Sequence, residues 1–205
     1  MNRFARLVAA VTSLAATILT FDTNAQDQPS TPQRAIFAGG CFWCMQPPFD
    51  KTEGVISTLV GYEGGTEDNP TYQQVSAGET SHRESIEVTF DPAKVSYEKL
   101  LEIFWHNINP IQADGQFHDS GNQYTTAIFF TTEEQRAAAG QSKQQLAASG
   151  KFKKPIATSI LPSKKFWPAE EYHQKYYIKN PEAYGMYRFG SGRSGYLKAT
   201  WGETH

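Results

Sequence analysis

The chain holds two cysteines, Cys41 and Cys44, in the run Gly39-Gly40-Cys41-Phe42-Trp43-Cys44. A thiol placed directly after a Gly-Gly turn at the start of a helix sits among amide hydrogens without partners, at the positive end of the helix dipole. Both favour its thiolate. A thiolate is a nucleophile, and a second thiol three residues on can capture an oxidised first sulfur as a disulfide. The spacing points to a redox couple. A purely structural bridge across so short a loop would constrain little chain. A zinc site would need further ligands, and no two of His82, His106, His118, His173 and His205 have His-x3–5-His spacing. A thioredoxin-type exchange motif carries the same Cys-x-x-Cys mark and stays open as a rival at this level.

Positioning such a pair requires a scaffold, and the sequence outlines one. Ala35 to Ala38 reads as a buried strand ending at Gly39-Gly40, and a short helical turn begins at Cys41. Pro47 lacks an amide hydrogen and its ring clashes four residues back, so that turn is expected to be interrupted. Val55 to Val60 is the next strand, followed by a Gly-rich loop from Gly61 to Asn69. Ser85 to Phe90 alternates, with Ile86, Val88 and Phe90 on one face. Ser96 caps a helix carrying Leu100, Leu101, Phe104 and Ile108 at helical spacing, and Asn109-Pro110 ends it. A polar loop from Ile111 to Asn122 leads to the strand Ala127 to Phe130, and Thr132 caps a second helix ending at Ser149-Gly150. Ile156 to Leu161 is the last strand, and an aromatic C-terminal tail follows. The order predicts an α+β fold, a two-layer ferredoxin-like plait with a βαββαβ core and extended loops.

Composition narrows the partners. With 19 Lys+Arg against 21 Asp+Glu in 205 residues and no block of basic residues, the chain has no electrostatic footprint for nucleic acid. Arg3 and Arg6, the apolar run Leu7 to Leu19 and the small residues of Thr23-Asn24-Ala25 read as a secretory signal peptide over residues 1–25. The run is short for a membrane span. A periplasmic or secreted protein is therefore expected, with a membrane anchor the weaker alternative. Residues 26–34 read as a flexible lead-in and 35–205 as a single catalytic domain.

Several ordered segments resemble the A-type peptide-methionine sulfoxide reductases. They are Gly40-Cys41-Phe42-Trp43 with the nearby Cys44, Gly61-Tyr62, Pro70-Thr71-Tyr72, His82-Arg83-Glu84, Phe90-Asp91-Pro92, Asp119 to Tyr124, and Phe166 to His173. The resemblance implies reduction of methionine S-sulfoxide, free or in proteins. Cys41 would attack the sulfoxide sulfur and become a sulfenic acid, and Cys44 would resolve it as a disulfide. Glu84 would be the acid, its pKa raised by burial; Tyr72 and Tyr124 would donate to the sulfoxide oxygen, and Asp119 would support them. Phe42 and Trp43 would line a methyl pocket. The resemblance implies no bound cofactor and no metal, a monomer, and an external dithiol reductant of thioredoxin-like type that reopens the disulfide. Phe166, Trp167, Tyr172, Tyr176 and Tyr177 read as packing and His173 as a satisfied polar group. Two departures stand out: Pro47-Pro48 intrudes on the first helix, and no cysteine follows Cys44.

Overall fold

The computed structural model of the protein describes residues 30–202. The expected signal segment, 1–25, lies outside the described residues. The chain runs through β1 (Gln33–Ala38), α1 (Phe42–Asp50), β2 (Val55–Glu63), α2 (Tyr72–Ser76), β3 (Arg83–Phe90) and α3 (Tyr97–Trp105). There follow β4 (Gly115–Gln116), β5 (Asp119–Ser120), β6 (Ala127–Phe130), α4 (Glu133–Ala148), β7 (Ser159–Pro162), β8 (Trp167–Pro168), α5 (Tyr176–Lys179), α6 (Pro181–Gly190) and α7 (Arg193–Trp201). This is an α+β fold on a mixed sheet ordered β7-β6-β1-β3-β2-β8. β1 is antiparallel to both β3 and β6, β2 is antiparallel to β3 and β8, and β6 and β7 run parallel.

Alternation along the strands separates two faces. Ala35 and Phe37 share a face with Ile86, Val88 and Phe90, and pack against Met45 and Phe49 of α1 and Leu100 and Phe104 of α3. The Phe37 ring stacks on Phe49 at 5.3 Å and on Phe104 at 5.2 Å. Fully burying each such side chain contributes about 1.5–3 kcal/mol. The opposite face, with Ile36, Ala38, Ala127 and Phe129, is covered by Leu161 and Phe166.

Several sequence expectations need correction. α1 continues through Pro47 and Pro48 to Asp50. The two prolines deprive the Trp43 and Cys44 carbonyls of helical donors, but the turn is held from outside. Phe49 is stacked in the core, the Gln46 side-chain Nε2 donates to the Thr58 hydroxyl at 3.0 Å, and the Gln46 side-chain Oε1 accepts from the Lys175 backbone amide at 2.7 Å. β2 extends to Glu63 and β3 begins at Arg83, because Tyr62 pairs with Glu84 and Glu63 with Arg83. Glu84 is thus within the strand rather than before it. β1 starts at Gln33, paired with Phe90, so the last two residues of the expected lead-in are strand. The last predicted strand is shifted to Ser159–Pro162. The loop after α3 contains the β4–β5 hairpin, and the aromatic tail folds into α5, α6 and α7. Among the described residues no helix is long and apolar enough to cross a membrane.

Candidate active site

The sheet topology delivers the thiol pair and a carboxyl to one place. β1 leaves the sheet just past the Phe37–Ile86 pair, and Glu84 lies two residues before Ile86 in antiparallel β3. Both therefore arrive at the same end of neighbouring strands. Gly40 makes the turn at φ +79°, and a Cβ there would lie 2.5 Å from the Gln116 side chain, so glycine is required on both counts. Cys41 is the N-cap of α1 and 6% exposed, and Cys44 is completely buried. Both are free thiols.

Glu84 is 2% exposed, and its Oε2 accepts the amide hydrogen of Phe42 at 3.0 Å. Burial pushes its carboxyl up to about 8; the Phe42 amide opposes this, while charge at Asp119 and Cys44 adds to it. The group therefore holds a proton at neutral pH. The thiols do not follow the expectation for a helix N-terminus. Burial pushes Cys41 well above the usual thiol range, and its S–H donates to Cys44. That hydrogen bond, aided by Arg193 and Arg188 and opposed by burial, brings Cys44 down to about 7. The first amide of α1 is spent on Glu84, so Cys41 receives less help from the helix than its position suggests. At rest the negative charge of the pair sits on Cys44.

The remaining predicted residues converge on this point. Tyr72 opens α2, where Thr71 and Gln74 form a reciprocal capping box, and its amide donates to Glu170 at 2.9 Å. Glu170 also accepts from the Tyr62 hydroxyl at 2.8 Å and so ties α2 to β2. Burial pushes the Tyr72 phenol up to about 12, with Glu84 and Cys41 the next influences. Tyr124 ends a 3-10 turn at Asn122–Tyr124; its phenol is also held protonated, by burial first and then by Glu84, Tyr72, Asp119 and Cys41. Asp119 stands on β5, beyond the hairpin residue Phe117 at φ +58°. Phe42 is buried against Val60, Tyr62 and Ala169, with Trp43 and Tyr72 at the edge of that cluster.

Some functional neighbours escaped the sequence reading. The Tyr187 hydroxyl of α6 donates to Asp119 and also reaches Cys41, where its influence lowers the thiol's pKa. Trp43 stacks flat on Tyr176 at 3.9 Å, meets Tyr187 edge-on, and donates its indole N–H to His173 Nδ1 at 2.9 Å. Burial lowers His173 to about 4, so it is a neutral acceptor that orients the indole. Its other nitrogen, Nε2, has no hydrogen-bond partner. One signal was available: Glu84 shares the period-2 parity of Ile86, Val88 and Phe90, which places it on the buried face. No local signal marks Tyr187. The surface cavity of about 690 Å³ lined by Arg34, Phe90, Tyr97 and Gln135 lies near the opposite end of β1 and contains no thiol.

Two buried thiols in contact, a protonated carboxyl bonded to the backbone beside one of them, and a partly exposed indole define a thiol-dependent oxidoreductase. Residues 33–205 match the peptide methionine sulfoxide reductase family. The chain belongs to that family and is an enzyme that reduces methionine sulfoxide. It is 53% identical over 171 residues to the peptide methionine sulfoxide reductase MsrA of Bacillus licheniformis, covering 83% of this chain and 94% of that one. It is 55% identical over 171 residues to the MsrA of Halalkalibacterium halodurans, covering 83% and 97%. Among solved structures, Mxr1 of Saccharomyces cerevisiae in reduced form superposes with a TM-score of 0.70 at 29% identity, covering 78% of this chain and 92% of that one. Methionine sulfoxide reductase A of Corynebacterium diphtheriae gives 0.66 at 33% identity, covering 75% and 77%.

Proposed function

We propose that the protein reduces the S epimer of methionine sulfoxide, free and in peptides, with Cys41 as nucleophile and Cys44 as resolving thiol. The observation that carries this reading is the buried, protonated Glu84 bonded to the amide next to Cys41. As sulfoxide enters, the Cys41 proton passes along its hydrogen bond to Cys44. The Cys41 thiolate attacks sulfur and forms an S–S bond as Glu84 protonates the oxygen; the hydroxyl then passes to the Cys41 sulfur while the S–S bond and the methionine S–O bond break, leaving Cys41 sulfenic acid and the sulfide. Tyr72 and Tyr124 donate to the oxygen as charge builds on it, and Asp119 holds Tyr187 against Cys41. Phe42 and Trp43 form the apolar wall for the methyl group. Cys44 then gives the proton it took from Cys41 to the Glu84 carboxylate and, as a thiolate, displaces hydroxide from the sulfenic sulfur. Glu84 protonates the hydroxide to water, and an external dithiol of thioredoxin-like type reopens the Cys41–Cys44 disulfide.

The same proposal covers the wider setting. Residues 1–25 act as a signal peptide cleaved after Ala25, which makes the protein periplasmic or secreted, and it works as a monomer of one catalytic domain. The strands β6-β1-β3-β2 with α1 and α3 correspond to the four strands and two helices of a ferredoxin-like plait; their order and antiparallel pairing support that reading. The test is epimer-resolved consumption of methionine sulfoxide by the purified mature chain. Loss of the S epimer with one Cys41–Cys44 disulfide formed per reduced sulfoxide is expected. Consumption of the R epimer alone, or reduction without the disulfide, would sink the assignment.

A further inference from the structure

Arg193 is among the most deeply buried large side chains of the described residues, at 1% exposure. Its guanidinium donates to the Gly39 carbonyl at 2.9 Å and the Asn107 carbonyl at 2.6 Å, touches Met45 Sδ at 3.7 Å, and lies 4.5 Å over the Phe117 ring. None of these partners is charged, and no carboxylate forms an ion pair with Arg193 among the described residues. A buried cation without a counter-ion carries a penalty of several kcal/mol. The location sharpens the problem, because the Gly39 carbonyl it grips lies two residues before Cys41 at the start of α1, where the helix dipole is itself positive. An arginine is stable there if an anion shares the space.

The thiol pair can carry that charge, since the two residues Arg193 contacts, Gly39 and Met45, flank Cys41 and Cys44 in the chain. Cys44 is faced by Arg193 from α7, Arg188 and Tyr184 from α6, Asp119 from β5, Glu84 from β3 and Cys41 from the turn. Asp119 is engaged by the Tyr187 hydroxyl and Arg188 by the Tyr184 and Ser194 hydroxyls. Glu84 holds a proton at neutral pH. We infer that Arg193 is a positioning residue for the resolving step, the buried counter-charge that keeps Cys44 a thiolate once Cys41 has become a sulfenic acid. The step it serves is balanced within the chain. The proton that Cys44 took from Cys41 passes to the Glu84 carboxylate left by the first step. The Cys44 thiolate forms the S–S bond, the Cys41 S–O bond breaks, and the departing hydroxide takes the Glu84 proton and leaves as water. The inference rests on the reading of Cys44 as the resolving thiol.

The test follows one turnover of the reduced, full mature chain with N-acetylmethionine S-sulfoxide by rapid quench, reading sulfide release and disulfide formation separately. Arg193→Gln keeps donors for the two carbonyls and loses the charge. It is expected to leave sulfide release within about threefold and to slow disulfide formation about tenfold or more, because it removes a charge-assisted contact. Arg193→Lys restores the charge and is expected to recover most of that rate. Equal slowing of both steps, or disulfide formation unchanged in Arg193→Gln, overturns the inference. If both variants fail to fold, Cys44 is titrated by thiolate absorbance in Cys41→Ser with Arg193 intact. Ionisation at least one pH unit below an ordinary thiol supports the inference, and ionisation at or above that value overturns it. Unimpaired multiple turnover of Cys44→Ser would instead remove the resolving role on which it rests.

Discussion

Glu84 Oε2 lies 3.0 Å from the amide nitrogen of Phe42, the residue after Cys41. The carboxyl proposed as proton donor is thereby tied to the turn of backbone that carries the sulfur proposed to attack. Replacing Glu84 with Gln keeps a hydrogen-bonding side chain and removes the transferable proton. Sulfoxide reduction is expected to fall about 10²–10⁴-fold, while thiol–disulfide exchange at Cys41 and Cys44 stays within about threefold. Steady-state rates on methionine S-sulfoxide and on a small disulfide measure the two; equal losses would identify a general exchange enzyme.

The same carboxyl makes stability depend on pH. Its pKa rises from an ordinary 4.5 to about 8 on folding, so its contribution is fully present below 4.5 and is lost as pH rises towards 8. Across that window wild type is expected to lose about 1.4 kcal/mol per pH unit relative to Glu84→Gln. Urea unfolding of both proteins at pH 5, 6.5 and 8 under reducing conditions measures the difference. Parallel curves would show that Glu84 is ionised in the folded state.

Cys44→Ser is expected to reduce one sulfoxide per chain and then stop, with Cys41 held as a sulfenic acid that a dimedone probe labels. Sustained turnover with a dithiol protein would assign resolution elsewhere.

Tyr187→Phe removes the hydroxyl that touches both Asp119 and Cys41. Because that contact lowers the Cys41 pKa, alkylation of Cys41 should move to higher pH and single-turnover sulfide release should slow about tenfold. Folding stability should change by about 1 kcal/mol. An unaltered alkylation profile would leave Tyr187 a packing residue.

Phe49→Ala tests whether packing holds α1 in spite of its prolines. The expected cost is about 3–5 kcal/mol, with faster alkylation of both thiols as the helix loosens. A cost below about 1 kcal/mol, of the size usual at surface sites, would show that the helix persists on other grounds.

The central strands β1, β2, β3 and β6, apart from their ends, and the helix caps were legible because each is a local pattern. Thr132 and Ser96 cap their helices through the Gln135 and Lys99 amides, and Ile86, Val88 and Phe90 alternate into the core. The continuation of α1 was not legible, because the rule against internal proline is local whereas Phe37, Thr58 and Lys175, which hold the helix, come from elsewhere. The thiol pair could be read from spacing and the other predicted residues from resemblance. The charge state of Cys41 could not, since a neighbour three residues away and burial by distant helices decide it. Tyr187 and Arg193 lie in a tail whose aromatic composition reads equally well as packing.

The guanidinium that grips Gly39 belongs to a residue 154 positions further along the chain. During synthesis the two thiols therefore leave the ribosome long before Tyr187 and Arg193 exist to cover and polarise them. A nascent or C-terminally clipped chain carries the cysteines without their cover, open to exchange with foreign disulfides. Complete translation is thus itself a safeguard on the chemistry, arming the sulfurs only once the last helices have docked.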